Sequence, residues 1–276
     1  MKPLISVISV NYNGYWLTCA MVESLRRHVT APLEIIVVDN GSARDEAAML
    51  RERYPGIKAL RSERNLGFAG GNNLGFAAAA GDYLLLLNND TEVITAAWLE
   101  EMVMYAQQKR VGCVGAKLLY PDNTIQHAGI GFGYLTLAAH MHKNFPVGHP
   151  GYMGRLVYAQ DVYAVTAACL MVRKDVYEQV DGLDESFAVA FNDVDFCVRV
   201  REAGYTNVFT PFAQLYHYES KSRGLDESPV KRKRFVSEVE RFQKRWAKQL
   251  AAGDPCMNPN FDLMKEDFSF DIKPLE

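Results

Sequence analysis

Amide and carboxylate side chains directly follow an apolar stretch in the sequence LLLLNND at residues 84–90. Asn88, Asn89 and Asp90 would place oxygen ligands at the end of a buried strand, an arrangement that suits a hard divalent cation sharing a substrate diphosphate. The alternative is that Asp90 caps a helix entered near Thr95, but a separation of five residues makes that cap awkward. The pattern therefore favours a metal site at Asp90.

Two further acids, Asp193 and Asp195, lie in AFNDVDF (190–196) at the start of a predicted helix. Residues two positions apart do not face each other on a helix, so they are not a coupled pair and only one is expected to face a cleft. The helix dipole would keep Asp193 ionised at neutral pH, as a general base requires. Acids in a first helical turn also stabilise the helix, so a structural role stays open.

Asp39 ends the apolar sequence IIVVD and precedes the turn residues Asn40, Gly41 and Ser42. A carboxylate at this position can accept hydrogen bonds from a nucleotide base or a ribose. It can equally well cap the helix that follows. These two interpretations of Asp39 are about even.

The segment RNLGFAGGNN (64–73) places Gly67, Gly70 and Gly71 between a predicted strand and a helix. Glycines there let the backbone approach a ligand, and a helix N-terminus favours phosphate. The segment matches neither the dinucleotide-binding fingerprint nor the P-loop. A tight turn explains it equally well.

The sequence YHYESKSRG (216–224) could contribute to both a metal site and a phosphate site. His217 is a potential metal ligand, and a basic, hydroxyl-rich loop can bind phosphate oxygens. A solvated loop would have a similar composition. Four other histidines, His127, His140, His142 and His149, lack partners at zinc-site spacing, and we expect them to line a loop.

Strand-like and helical segments alternate over the first 120 residues. Strands are predicted at 4–10, 33–39, 57–62 and 83–88, and helices at 15–28, 45–54, 70–80 and 96–108. This alternation predicts a parallel sheet covered by helices on both faces. The polar residues described above follow the first, second and fourth strands, where ligands of such sheets bind.

The second half of the chain is less regular. Residues 121–164 carry six glycines and no clear periodicity, which is typical of a functional loop or lid. A strand is predicted at 165–174, a helix at 193–204, and a helix of about twenty residues at 228–250.

The last predicted helix is basic and amphipathic. Between residues 231 and 248 it has eight basic residues against two acidic ones, and Phe235, Val239, Phe242 and Trp246 recur at helical spacing. One interpretation is peripheral contact with a membrane surface. The other, slightly favoured, is that the apolar face packs on the domain.

Composition excludes several classes of protein. With 276 residues, 49% hydrophobic and 23% charged, the chain can bury a full core, and a net charge of −3 argues against general nucleic-acid binding. No apolar stretch is long enough for a membrane span, and the N-terminus lacks signal-peptide features, so we expect a cytoplasmic protein. The five cysteines occur singly, which predicts buried, reduced thiols.

The order of these segments resembles the family 2 glycosyltransferases, which adopt the GT-A fold. The matching segments are SVISVNYNG, IIVVDNGS, RNLGFAGGNN, LLLLNNDTEV, VTAACLMVRK, GLDESFAVAFNDVDFCVR and HYESKSRG, between residue 5 and about residue 224. The later GDPCMNPNFDLMKEDFSF (253–270) is similar to the end of bacterial polysaccharide and O-antigen members of the rhamnosyltransferase-like type.

The resemblance implies an α/β protein with a Rossmann-like, mostly parallel central sheet flanked by helices, and a C-terminal helical extension. Residues 1–225 would form the glycosyltransferase domain, with a nucleotide-sugar-binding half at 1–120 and an acceptor-binding, catalytic half at 121–225. Residues 226–276 would form a helix and tail packed on that domain.

The resemblance also implies roles for individual residues. Asp193 would be the catalytic base, Asp90 the metal ligand of the DxD-type motif, and His217 an additional metal ligand. Asp39 would contact the nucleotide base, and residues 220–223 would approach the diphosphate. The full set of substrate-binding candidates is Val10, Asn11, Tyr12, Asp39, Arg64, Asn65, Gly67, Asn72, Asn88, Asn89, Ala167, Asp195, Ser220 and Arg223.

Three positions depart from the pattern of the family. Asn88 replaces the first acid of DxD, Asn192 replaces the Glu that usually precedes the catalytic acid, and Ala167 replaces a Gly in the strand that faces the acceptor.

The implied activity is inverting, metal-dependent sugar transfer. The donor would be a UDP- or dTDP-linked sugar, the acceptor a hydroxyl of a glycan or a lipid-linked sugar, and the cofactor Mn²⁺ or Mg²⁺. The enzyme would act in the cytoplasm, at the inner face of the cell membrane. Two alternatives remain. The first is a catalytically silent sugar-nucleotide-binding module, which would be expected to lose Asp193. The second is a nucleotidyltransferase, which usually has a Gly-rich basic loop after the first strand.

Overall fold

A mixed sheet forms the centre of the protein in this computed structural model, which describes residues 3–29, 31–133, 137–219, 229–265 and 268–271. Its strands within those ranges are β1 (Ile5–Asn11), β2 (Leu33–Asn40), β3 (Lys58–Ser62), β4 (Tyr83–Leu87), β5 (Thr91–Val93), β6 (Val111–Leu119), β7 (Ile125–His127), β10 (Gln160–Val162), β11 (Cys169–Arg173) and β12 (Thr206–His217). A separate hairpin contains β8 (Ile130–Phe132) and β9 (Ala138–His140).

Helices cover both faces of the sheet. They are α1 (Tyr15–His28), α2 (Glu46–Arg53), α3 (Gly67–Ala77), α4 (Trp98–Ala106), α5 (Lys174–Gln179), α6 (Asn192–Glu202), α7 (Pro229–Arg245) and α8 (Ala247–Ala252). A hydrophobic core lies on each side of the sheet, as expected for strands that are apolar along their whole length. The predicted alternation of the first 120 residues is therefore confirmed, with α3 starting three residues earlier than predicted.

The strand order is β10-β12-β6-β11-β4-β1-β2-β3, with β5 beside β12 and β7 beside β6. Pairing is parallel across β4-β1-β2-β3 and between β12 and β6, which confirms a mostly parallel sheet. The strand β11 runs antiparallel to both of its neighbours, β4 and β6. Its first residues therefore lie at the same edge of the sheet as the last residues of β4.

Two long strands, β6 and β12, are absent from our sequence predictions. All nine residues of β6 are buried, but its two glycines weaken the strand signal. One of them is needed for packing, because a Cβ on Gly115 would lie 2.5 Å from Val165. The pairing of β12 with β6 shifts register between Thr210 and Gln214, around Pro211, which obscures its alternation.

Residues 121–164 are irregular, as predicted, but they form a packed layer in the described part of the chain. Short strands and one 3₁₀ turn (Tyr152–Gly154) enclose aromatic contacts with the C-terminal tail. Phe268 stacks on His142 at 4.3 Å and on Tyr152 at 5.6 Å between ring centroids. The tail thus supplies part of the core of this layer.

The segment 228–250 was predicted as one helix. It forms the two helices α7 and α8, because the helical structure is interrupted at Trp246. Phe242 and Trp246 are buried against the domain, whereas Phe235 and Val236 are about half exposed. The packing alternative is thus correct for one part of the apolar face. None of the helices in the described ranges is long and apolar enough to cross a membrane.

Candidate active site

A cavity of about 870 Å³ opens at the edge of the sheet where β1, β4 and β12 end and β11 begins. Among the predicted site residues, those that line it are Val10, Tyr12, Asn65, Gly67, Asn88, Asn89, Asp90, Ala167, Asp193 and His217. Those that do not line it are Asn11, Asp39, Arg64, Asn72 and Asp195. Ser220 and Arg223 lie outside the described residues.

The first part of the cavity is the Asp90 edge, which we define as Asn88, Asp90 and His217. Antiparallel pairing of His217 with Thr91 brings the end of β12 beside the residue that follows Asp90. Nε2 of His217 lies 3.2 Å from Oδ1 of Asp90 and 3.1 Å from Nδ2 of Asn88. Asp90 does not cap α4, since β5 and a turn separate them.

Gln126, on β7, determines the orientation of the His217 ring. Its Oε1 lies 2.5 Å from Nδ1 of His217, and its Nε2 donates to Glu219 at 3.1 Å. Because an amide oxygen only accepts, Nδ1 of His217 carries the ring proton, and the lone pair of Nε2 accepts a hydrogen bond from Nδ2 of Asn88 beside Asp90. This is the tautomer that a metal ligand requires.

A carboxylate oxygen and an unprotonated imidazole nitrogen fit a divalent cation such as Mn²⁺, which would replace the hydrogen bond from Asn88 at that nitrogen. Within the described chain, no group of three or more His, Cys, Asp or Glu residues could hold a metal ion. The Asp90 edge therefore offers two protein ligands and would leave the remaining positions to water and substrate oxygens.

The second part of the cavity is the Asp193 wall, which we define as Ala167, residues 188–190 and Asp193. Asp193 lies in the first turn of α6 and is half-buried. Its Oδ2 accepts a hydrogen bond from the amide of Ala167 at 3.2 Å, and its Oδ1 accepts from the amide of Val194 at 2.9 Å. Each oxygen keeps a further lone pair, so the carboxylate is held in place but can still accept a proton.

The side chain of Asp195, predicted to bind substrate, is fully buried and does not line the cavity. It accepts hydrogen bonds from Arg199 at 2.8 Å and from the indole of Trp246 at 3.0 Å, and it pairs with Arg245 at 3.2 Å. These contacts join α6 to the C-terminal helices. The prediction that Asp193 and Asp195 face different directions is confirmed.

Asp39 is fully buried and does not reach the cavity. Its carboxylate accepts hydrogen bonds from the backbone amides of Ser42, Glu46 and Ala47 and pairs with Arg61 at 2.6 Å. The structure thus favours a structural role at the start of α2, whose N-cap is Asp45, over direct contact of Asp39 with a base. Arg61 gave no signal in the sequence, because a basic residue on an edge strand is common.

Asn11 and Asn89 belong to one buried network. The amide of Asn11 donates to Glu46 at 2.7 Å, and its oxygen accepts from Thr18 at 2.9 Å and from Asn89 at 3.3 Å. This network supports the loop after β1. Asn11 consequently acts behind the cavity wall and not on it.

The segment 64–73 forms a turn and the start of α3. Gly67 has φ +73°, and Asn65 accepts a hydrogen bond from its amide at 2.8 Å. Gly71 serves helix packing, since a Cβ there would lie 2.9 Å from Val10. Asn72 is buried and donates to the carbonyl of Phe68, and neither Asn72 nor Arg64 lines the cavity.

Several residues of the cavity were missed from the sequence: Tyr120, Gln126, His140, Lys143, Glu219 and Arg234. Most of them come from the irregular segment or a loop, where no periodicity marks a site. The expectation that the four histidines line a loop is wrong for His127 and His142, which are buried. Burial lowers the pKa of His127 and His140, and it lowers the pKa of His142 to about 3.

The cysteines take no part in the cavity. Cys19, Cys113, Cys169 and Cys197 are free and buried, and Cys256 is partly buried. Burial raises the pKa of the Cys113 and Cys169 thiols, which disfavours the reactive thiolate. The prediction of buried cysteines is confirmed for four of the five, whereas Cys256 is only partly buried.

Comparison with known proteins identifies the family. Residues 6–181 match the family model described as glycosyl transferase family 2. The chain is 44% identical over 272 residues to the protein y4gI of Sinorhizobium fredii and 34% identical over 276 residues to the O-antigen biosynthesis protein RfbC of Myxococcus xanthus. Each match covers 96% of this chain, which spans 30% of the first relative and 21% of the second.

A third relative has a similar length. It is the N-acetylglucosaminyl-diphospho-decaprenol L-rhamnosyltransferase of Mycobacterium tuberculosis, 25% identical over 245 residues, which cover 82% of this chain and 80% of that protein.

Two solved structures share the fold. GalNAc-T7 with UDP, GalNAc and Mn²⁺ matches 87% of this chain and 48% of its own, with a TM-score of 0.67 and 16% identity. The mannosyltransferase PcManGT of Pyrobaculum calidifontis, in complex with GDP-Man and Mn²⁺, matches 91% of this chain and 69% of its own, with a TM-score of 0.64 and 15% identity. The predicted GT-A fold is thereby confirmed.

Proposed function

The chain belongs to glycosyl transferase family 2, and from this premise we propose that it is an inverting, metal-dependent enzyme that transfers a sugar from a UDP- or dTDP-linked donor. The observation that carries the proposal is one cavity with two separate chemical sides. The Asp90 edge offers a carboxylate and an imidazole to a metal, and the Asp193 wall offers a carboxylate to an acceptor.

On the donor side, Asp90 and His217 would hold a divalent cation, Mn²⁺ or Mg²⁺. Bound there, the cation would neutralise charge that develops on the nucleoside diphosphate leaving group. Asn88 lines the same part of the cavity, and the second N–H of its side-chain amide would donate a hydrogen bond to a donor oxygen. The side-chain amide of Asn89 instead donates to Asn11 and Thr18.

On the acceptor side, Asp193 would take the proton of an acceptor hydroxyl. The oxygen then attacks the anomeric carbon from the face opposite the diphosphate. A new carbon–oxygen bond forms as the bond to the diphosphate breaks, so the configuration at the anomeric carbon inverts. The hydrogen bonds from Ala167 and Val194 orient the carboxylate for this step.

We propose a glycan or a lipid-linked sugar of the bacterial cell surface as the acceptor. The names of the relatives in M. xanthus and M. tuberculosis support this class. Lys143 and Arg234 also line the cavity, and cationic side chains suit the diphosphate of a lipid-linked sugar. We retain residues 1–225 as the proposed catalytic domain, with 226–276 packed on it.

Contact with the membrane would follow from a lipid-linked acceptor. On α7, Phe235 and Val236 remain exposed beside the exposed Arg232 and Lys233. Apolar and basic side chains together favour an anionic lipid surface. Flotation with anionic vesicles at low salt tests this, and equal recovery with neutral vesicles would contradict it.

A thermal-shift screen of nucleotide sugars, with and without Mn²⁺, tests the proposed activity. We expect a stabilised protein only when a UDP- or dTDP-sugar and the metal are both present, because a ligand that binds the folded state raises its unfolding temperature. Release of nucleoside diphosphate from the same donor would separate an enzyme from a silent binding module. The absence of any stabilising nucleotide sugar would contradict the proposal.

A further inference from the structure

A buried acid on α7 binds the loop that leads into α6. Glu238 is 3% exposed, and its Oε1 accepts hydrogen bonds from the amides of Ala188 at 3.0 Å and Val189 at 3.2 Å. Its Oε2 accepts from the amide of Ala190 at 2.9 Å. A carboxylate can accept several hydrogen bonds on both oxygens, which no neutral side chain of the same shape can do.

The three residues that Glu238 binds line the cavity, and Asp193 follows them by three positions. Between them lies Phe191, which precedes α6 and has φ +62°, a left-handed conformation that is strained for a bulky residue. Its ring stacks on Phe242 at 4.8 Å and on Phe235 at 6.1 Å between centroids. The helix α7 therefore holds both the loop and the strained residue at the start of α6.

The same loop contacts the N-terminal half of the protein on its other side. The carbonyl of Ala188 accepts a hydrogen bond from the amide of Phe68 at 3.4 Å. A Cβ on Gly67 would come within 3.3 Å of that carbonyl, so the two backbones are close. Residues 188–190 are thus enclosed between the start of α3 and the carboxylate of Glu238.

We propose that Glu238 is a positioning residue for sugar transfer, an inference that rests on the proposed function. Within the described chain, residues 188–190 belong to no strand or helix, so hydrogen bonds to their backbone hold their conformation. Glu238 accepts from all three amides, while Phe68 and Asn192 donate to the carbonyls of Ala188 and Val189. By setting that conformation, Glu238 fixes the Asp193 wall relative to the donor. Helix α7 is then a part of the active site, although Glu238 itself does not line the cavity.

The substitution Glu238→Gln tests this proposal. The variant keeps the shape of the side chain but turns one acceptor oxygen into a donor, which faces a backbone amide. We expect turnover to fall by about 10- to 100-fold, since a displacement on the order of 1 Å costs that much. Donor affinity should stay within about threefold, because Glu238 binds residues 188–190, whereas Asp90 and His217 are held together by the pairing of β12 with β5.

Glu240→Gln is the matched control, because it removes the same charge from an exposed position of α7. Its turnover should equal that of the wild type. Turnover of Glu238→Gln within about twofold of wild type would overturn the proposal. So would equal losses in turnover and donor affinity, because they would indicate general structural damage.

Hydrogen exchange on the wild-type protein provides a test that needs neither the variant nor activity. The amides of residues 188–190 should exchange slowly, as amides with a buried acceptor do. Exchange as fast as in an exposed turn would overturn the proposal even if Glu238→Gln does not fold. If the wild type transfers no sugar from any nucleotide donor, the proposed function fails, while slow exchange would still establish the contact.

Discussion

The Asp90 edge and the Asp193 wall face the same cavity but are held in place by different means. At the Asp90 edge the sheet does the positioning: β12 pairs with β5, and the amide of Asn88 donates to the carbonyl of Ala168 at the start of β11. At the Asp193 wall, the carboxylate of Glu238, which lies on a helix far along the chain, accepts hydrogen bonds from the backbone amides of residues 188–190. The pairing of strands tolerates single substitutions. We therefore expect substitutions outside the cavity to affect the Asp193 wall more than the Asp90 edge.

The substitution Asp193→Asn, at the Asp193 wall, should have the largest effect, which is a loss of turnover. General-base assistance contributes about 10²- to 10⁴-fold to a rate, so turnover should fall by that factor. Donor affinity should change only a few-fold, because Asp193 would act on the acceptor. Steady-state kinetics and calorimetry with the donor measure the two quantities separately.

Asp195→Asn is the control for that substitution. It weakens the contacts to Trp246 and Arg199 and should lower the free energy of unfolding by about 1–3 kcal/mol. If Asp193→Asn turns over within a few-fold of wild type while folded Asp195→Asn is inactive, Asp193 is not the base.

At the Asp90 edge, Asp90→Ala should remove the metal-dependent part of nucleoside diphosphate binding. A metal contact supplies several kcal/mol, so affinity in the presence of Mn²⁺ should fall by about 100-fold or more. Titration calorimetry with UDP and dTDP, with and without Mn²⁺, checks this. Glu92→Ala is the control, since Glu92 hydrogen-bonds Tyr218 instead. Unchanged Mn²⁺-dependent affinity in folded Asp90→Ala would contradict the assignment.

A smaller effect is expected from Gln126→Leu, which removes the acceptor for Nδ1 of His217. Loss of a partner that orients a metal ligand typically costs about 10- to 100-fold in metal affinity. Gln126→Glu keeps an acceptor oxygen at that position and should retain more of the affinity. Competition with a metal-binding dye measures both variants, and equal Mn²⁺ affinities for Gln126→Leu and wild type would exclude this role.

The smallest effect is expected on the stability of the protein, from His142 in the irregular layer formed by residues 121–164. Burial lowers the pKa of His142 to about 3, below its ordinary value of 6.5. Below pH 6.5 the unfolded chain binds a proton that the folded protein does not, so stability is lost as the pH falls. From pH 7 to pH 5 this group should lower the free energy of unfolding by up to about 2 kcal/mol.

Denaturant titrations at the two pH values measure that loss. His142→Gln keeps an acceptor for the amide of Tyr152 but does not titrate, so its stability should depend less on pH. The same pH dependence in both proteins would show that His142 is not held neutral.

The two regions also differ in how far the sequence predicts them. Asn88 and Asp90 directly follow an apolar strand, and the carboxyl ends of such strands meet at one edge, so local pattern suffices. For His217 the sequence left both a metal ligand and a solvated loop open until the family resemblance was considered, because β12 is interrupted around Pro211 and gives a weak strand signal. Asp39 shows the limit of the same logic, since its position at a strand end is compatible with both a cap and a ligand contact.

The surroundings of Asp193 could not be predicted in this way. Glu238 lies 50 residues from Ala188 along the chain, and at the Asp90 edge Gln126 likewise lies 91 residues from His217. Neither residue has a local pattern that distinguishes it from an ordinary polar residue on a helix or in a loop. Trp246 and Asp195 likewise have a structural role that only the packing of α7 and α8 against α6 reveals.

The central claim is that a base on the Asp193 wall and a leaving group at the Asp90 edge act on opposite faces of the donor sugar. Proton NMR during donor turnover tests it directly, because water can replace the acceptor and the first sugar released shows its anomeric configuration before mutarotation. We expect the anomer opposite to that of the donor. Release of the anomer with the configuration of the donor would contradict the account.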